Sequence, residues 1–115
     1  MGFVMPDLIR HLPPSGLTMK LTNAFIYIMS NKNLTTFYIG VTNDLERRVK
    51  EHKAGEGSEF TSKYKLTLLV YYEVIGNIRT AIRREKQLKN WQRAWKIELI
   101  KELNPYMMDL AADWD

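Results

Sequence analysis

Tyr27 and Tyr38 each sit in one of two short apolar runs within residues 25–40, FIYIMSNKNLTTFYIG. A phenol can move a proton only if a neighbour lowers its pKa from about 10 or takes the proton away. Arg48 and His52 follow, four apart, in TNDLERRVKEH, so on a helix they leave the same flank. A guanidinium fork suits phosphate, and an imidazole suits proton traffic. Glu85 is the one carboxylate of RTAIRREKQLKNWQ, a run otherwise rich in bases. At 3.6 residues per turn it falls near the middle of the apolar stripe Ile78, Ala81, Ile82 and Leu88, and so faces inward. An inward carboxylate needs a cation, either a metal ion or a nearby arginine. Lining one concave face, these five groups would be the parts for metal-assisted phosphodiester hydrolysis. Taken singly, each has a plainer reading: a packed tyrosine pair, a surface histidine, a salt-bridged glutamate.

Elements must hold these groups together. Residues 24–30 and 35–41 alternate and are β-rich, with SNKN between them, which predicts a hairpin with a loop at 31–34. That register sets Tyr27 against Tyr38 on one face, with Ile26, Ile28, Phe37, Ile39 and Val41 on the other. Gly40 then lies on the tyrosine face, leaving space for a sugar-phosphate backbone or simply ending the strand. Asn43 can cap a helix with Glu46 three residues on, and Leu45 and Val49 form its buried stripe. AGEGS ends that helix, with Gly55 suited to the position after the cap. Residues 66–75 read as a third strand and residues 79–91 as a second helix. A third helix, RAWKIELIKEL, would pack through Trp95, Leu99, Ile100 and Leu103 before NP closes it.

The composition fits one globular domain: 115 residues, 45% hydrophobic and 26% charged. Without cysteine there is no disulfide, thiol nucleophile or thiolate-bound zinc, which suits a reducing cytoplasm. No apolar run approaches the roughly 20 residues that span a bilayer. Residues 1–18 hold three of the four prolines and read as a loosely ordered extension, with PDLIRHL as an alternative helical turn. Met19 is an alternative translation start, residues 19–110 form the domain, and 111–115 an acidic C-terminal tail. Net charge is +4, yet eight bases face three acids between Gly76 and Leu103, interleaved with Trp91 and Trp95. Such a surface suits a polyanion, although a solvated helix face has the same look.

The motifs FIY at 25–27, YIG at 38–40, TNDLERRVKEH at 42–52 and REKQLKNW at 84–91 resemble those of the GIY-YIG nuclease family. The likeness is to its small stand-alone bacterial members, related to the excinuclease N-terminal domain, and runs from about residue 22 to about residue 110. Phe25 departs from the pattern, standing where the first motif has glycine. The resemblance implies an α+β fold, a three-stranded antiparallel sheet flanked by helices in the order β-β-α-β-α-α. It implies catalytic roles for Tyr27, Tyr38, Arg48, His52 and Glu85, with Mg²⁺ (or Mn²⁺) held by Glu85. Expected phosphate-gripping residues are Arg47, Lys63, Arg83, Arg84, Lys86 and Lys89. The expected partner is DNA, cut by structure rather than sequence; the expected protein is a monomer with no membrane attachment. Competing expectations are a binding module that keeps the fold without cleaving, and an RNA-directed partner.

Overall fold

The computed structural model describes residues 23–114, so the extension at 1–18, its candidate helical turn and Met19 lie outside the described residues. Strands β1 (Ala24–Ser30), β2 (Phe37–Thr42) and β3 (Leu68–Ile75) form one antiparallel sheet in the order β2-β1-β3. Central β1 is buried along its whole length because both sheet faces are covered. Ile26 and Ile28 enter a cluster with Ile39, Val70 and Tyr71. Helices α3 (Ile78–Lys89) and α4 (Arg93–Leu103) close that face through Ala81, Leu88, Leu99 and Ile100. On the opposite face Phe25, Tyr27 and Met29 meet Leu45 and Val49 of α1 (Leu45–Lys53), together with Leu66 and Ala111. The result is the expected three-stranded antiparallel sheet flanked by helices, with one element more: a short helix, α2 (Glu59–Lys63), between α1 and β3.

The hairpin loop spans residues 31–36, not 31–34, and the register moves by two: Tyr27 pairs with Gly40 and Tyr38 with Met29. Asn31 causes the longer loop. Its Oδ1 accepts from the N–H groups of Thr35 and Thr36 at 2.9 and 3.1 Å, while Leu34 turns the chain at φ 59°. A shift of two preserves the alternation, so the aliphatic and tyrosine faces keep their members.

Asp44, not Asn43, caps α1, accepting from the Arg47 N–H at 3.2 Å. At the other end Gly55 takes φ 81°; its N–H bonds to His52 O, and that of Glu56 to Glu51 O, as in a Schellman motif. The buried stripe of α3 is narrower than its periodicity suggests, since Ile78 and Ile82 are exposed. Trp95 is likewise 50% exposed, stacked edge-on against Trp91 rather than packed in the core. Residues 109–114, which take in the expected tail at 111–115 as far as it is described, pack against the sheet. The Leu110 N–H bonds to Leu69 O at 2.7 Å, Asp109 accepts from the Leu69 N–H, and Trp114 packs against Tyr72. Among the described residues no helix is long and apolar enough to cross a membrane.

Candidate active site

Tyr27 occupies the middle of the central strand and is 1% exposed. Its ring lies over Gly40, where an added Cβ would collide with Tyr27 Cζ and Oη. Gly40 therefore makes room for the tyrosine, not for a sugar-phosphate backbone as the expected register had it. Nor is the tyrosine face open, because α1 and the C-terminal segment cover it.

His52 reverses its expected surface position: it is 1% exposed, and its Nε2 lies 2.8 Å from Tyr27 Oη. Its other ring nitrogen, Nδ1, is 2.9 Å from Thr61 Oγ1 on α2. Gly57 lets the imidazole fit, since a Cβ there would fall within the His52 ring. Ser58 caps α2 through the Thr61 N–H, and Thr61 Oγ1 donates to Ser58 O at 3.3 Å. In the tautomer with the ring proton on Nδ1, His52 donates to Thr61 Oγ1; in the other, Thr61 donates to Nδ1 while accepting from Ser58 Oγ. Arg48, which can only donate, lies beside Tyr27. In the first tautomer one polarity satisfies the whole chain: Arg48 donates toward Tyr27 Oη, Tyr27 donates to His52 Nε2, and His52 Nδ1 donates to Thr61.

Burial pushes Tyr27 up to about 12; Arg48 beside it acts the other way, and the charges of Tyr38 and Glu85 add to the rise. Burial also lowers His52 to about 4, helped by the Arg48 charge, so the imidazole is neutral at pH 7. Arg48 is held above its ordinary value first of all by Glu51, whose carboxylate it meets at 2.8 Å. Tyr38 is half-buried, with its ring 6.3 Å from Tyr27 and 5.4 Å from His52. Glu85 reaches this group electrostatically through Tyr27, although it sits on α3. Its side chain is 17% exposed, and its partner is not an arginine but Lys89, at 3.2 Å. Tyr27, Tyr38, Arg48 and His52 thus gather in one place, two of them deeply buried and Tyr38 and Arg48 reaching solvent, while Glu85 on α3 touches none of them and adds only a weak charge effect on Tyr27.

Thr61, Gly57 and Glu51 were not singled out from the sequence. The Ser58–Glu59 pair ahead of Thr61 is the cap-like signal in GEGSEFT.

The basic residues divide. Arg84 is committed internally: its guanidinium bonds Glu73 at 2.7 Å, and Tyr71 Oη donates to the same carboxylate. It is thus not a free phosphate grip, and the arginine-paired inward carboxylate is Glu73. Arg93, also counted in the basic stretch, donates to the backbone oxygens of Leu34 and Thr35. Arg47 is exposed but pairs with Glu51 and Asp44, and Lys89 pairs with Glu85. Arg83, Lys86 and Lys63 stand at the surface.

No three His, Asp or Glu side chains converge among the described residues. A cation here would have Glu85 as its protein carboxylate and water for the remainder. That fits Mg²⁺, which keeps several waters and is often held by one or two carboxylates. Lys89 is 52% exposed at its side chain and flexible enough to yield the carboxylate.

A family model described as GIY-YIG catalytic domain matches residues 23–98. UPF0213 protein SH2523 of Staphylococcus haemolyticus is 33% identical over 78 residues, covering 68% of this chain and 94% of that protein. An archaeal relative, UPF0213 protein HQ_3675A of Haloquadratum walsbyi, is 36% identical over 78 residues, covering 68% of this chain and 86% of its own. The solution NMR structure of UPF0213 protein BH0048 from Bacillus halodurans matches with a TM-score of 0.50 at 26% identity. It covers 81% of this chain and 97% of that one.

Proposed function

This chain belongs to the GIY-YIG family, a nuclease family, and from that premise we propose that it is a metal-dependent DNA endonuclease, selective for structure rather than sequence. The observation that carries the reading is the 2.8 Å hydrogen bond between buried Tyr27 and neutral His52, with Arg48 alongside. A phenol near pKa 12 is almost never a phenolate at pH 7, so it cannot act as a pre-formed base. It can act as a relay. As water attacks phosphorus, Tyr27 Oη takes the water proton and passes its own to His52 Nε2. Arg48 holds a non-bridging phosphate oxygen and stabilises the charge that builds there. Tyr38, partly open to solvent, orients the water. Glu85 would hold Mg²⁺ (or Mn²⁺), which when bound stabilises the departing oxyanion. Buried and beside Arg48, His52 keeps a proton poorly, so after the step the proton returns through Tyr27 Oη to solvent water and the pair resets.

A cytoplasmic monomer working in DNA repair or recombination is the setting this reading suggests. The alternative is a DNA- or RNA-binding module with negligible cleavage. Its support is the 1% exposure of Tyr27, since a water must reach the phenol.

Single-turnover cleavage of duplex, nicked, flap and single-stranded DNA with saturating Mg²⁺ separates the two. Tyr27→Phe keeps the ring and removes the relay oxygen, so cleavage should fall by roughly 10²-fold or more. Full activity in Tyr27→Phe returns the tyrosine to a packing role. No cleavage by wild type on any substrate leaves the binding module.

A further inference from the structure

Outside the proposed machinery, α2 carries two large aromatic side chains on its solvent side: Phe60 is 43% exposed and Tyr64 44%. Either alone would be unremarkable. Together they continue a line of rings that begins at the candidate site. Tyr38 and Phe60 are 6.2 Å apart between ring centroids, and Phe60 and Tyr64 4.9 Å. Lys63 places its ammonium 5.3 Å from the centre of the Tyr64 ring. Tyr64 also lines a cleft of about 670 Å³ together with Lys32, Asn33, Lys65 and His52. The buried side of the same helix supplies Thr61 to His52, so the ring line is anchored to the proton relay itself.

We propose that this line of rings is a stacking shelf for the bases of an unpaired DNA strand, whose backbone runs past Lys63, Lys65 and Lys32. The proposal rests on the nuclease reading and names its substrate class. Three features point to single strands. Bases in a duplex have both faces covered by neighbours, so an aromatic ring gains little from them without unstacking. The rings are tilted by 30° and 52° to one another, an arrangement that splayed bases can follow and the parallel base stack of a duplex cannot. Rings beside lysines are also the combination that holds single strands without regard to sequence. The unpaired arm of a branched DNA would satisfy the shelf equally, with the scissile phosphate entering beside Tyr38.

The test is fluorescence anisotropy with a labelled 20-nucleotide single strand and the same sequence as a duplex, in chelator so that nothing is cut. Wild type should bind the single strand at least tenfold more tightly. Tyr64→Ala, which leaves the Tyr38 contact alone, should weaken that binding about 5- to 100-fold, and Phe60→Ala similarly. Duplex binding should change less than twofold, Phe60→Trp should restore single-strand affinity, and circular-dichroism melting should confirm that each variant folds. Equal wild-type affinity for the two forms, or unchanged single-strand binding in the Phe60→Ala/Tyr64→Ala double variant, overturns the shelf. The nuclease reading fails separately: a protein that binds single strands through these rings but cuts nothing with Mg²⁺ keeps the shelf and loses the enzyme.

Discussion

Acid should destabilise this protein in a window set by His52. The unfolded imidazole titrates near 6.5, and in the fold burial lowers it to about 4. Above pH 6.5 it is neutral in both states and adds nothing to pH dependence. Between 6.5 and 4 the unfolded chain binds a proton that the folded chain refuses, so stability falls as pH falls. The slope approaches about 1.4 kcal/mol per pH unit, and the loss reaches about 2 kcal/mol at pH 5 and about 3 kcal/mol at pH 4. For a domain whose whole stability is on the order of 5–15 kcal/mol, that is a large fraction. Urea denaturation of wild type and His52→Gln at pH 7, 6, 5 and 4.5 measures it, with the difference between the two curves as the readout. The variant retains His11, and Glu51, held low by Arg48, titrates below most of this window. If both proteins lose stability in parallel, His52 takes a proton in the fold as readily as in the unfolded chain, and if wild type gains on acidification, the fold holds His52 charged. An imidazolium would donate to Tyr27 instead of accepting from it, and the relay would be lost.

Glu85→Gln should abolish Mg²⁺-dependent cleavage while leaving the melting temperature near wild type. Its contact with Lys89 is an i,i+4 surface pair worth a few tenths of a kcal/mol, so a large drop in melting temperature with cleavage intact contradicts the metal role. Gly40→Ala drives a methyl into the Tyr27 ring and should cost about 1–3 kcal/mol by denaturation, with a parallel loss of cleavage; a neutral result refutes the register. Charge reversal at Arg83 and Lys86 should weaken DNA binding at all sequences and flatten its salt dependence, which a titration from 50 to 200 mM salt reads directly.

The strands and three main helices were legible because each rests on periodicity, and the neighbourhood of Tyr27, Tyr38, Arg48 and His52 because each lies in a short motif. What the sequence left open were features set by partners distant in the chain. The hairpin register depended on Asn31 side-chain bonds that lengthen the loop, a local contest that alternation cannot decide because a shift of two residues preserves it. His52 looked exposed because α1 alone gives it a flank; Gly57 and Thr61 from the next helix bury it. Glu73 escaped notice because a carboxylate within a strand has no helical stripe to mark it as inward. Arg84 was counted as surface for the same reason, since only the fold brings it across to Glu73.

Two buried tyrosines, one on each face of the sheet, show why hydrogen bonding alone does not make a site. Tyr71 donates to Glu73, and Arg84 closes over that carboxylate with a second guanidinium nitrogen on Gln87. Burial first, and Glu73 next, push the Tyr71 phenol far above its ordinary range, so its proton has nowhere to go. Every strong donor and acceptor in that triad is spent within the molecule, as expected of a structural ion pair. Tyr27 has the same burial but a different neighbour: a neutral imidazole whose lone pair can receive a proton, and whose other nitrogen is fixed by Thr61. Its cationic neighbour, Arg48, has a partly exposed side chain, and its partner Glu51 is more open than Glu73. A phosphate can therefore compete for Arg48 at small cost, whereas nothing can compete for Arg84 without exposing a buried carboxylate. One face of the sheet holds a closed charge pair that keeps α3 on the strands. The other holds the buried Tyr27–His52 hydrogen bond beside a partly exposed arginine, and it is on that difference from Tyr71 that the proposed relay rests.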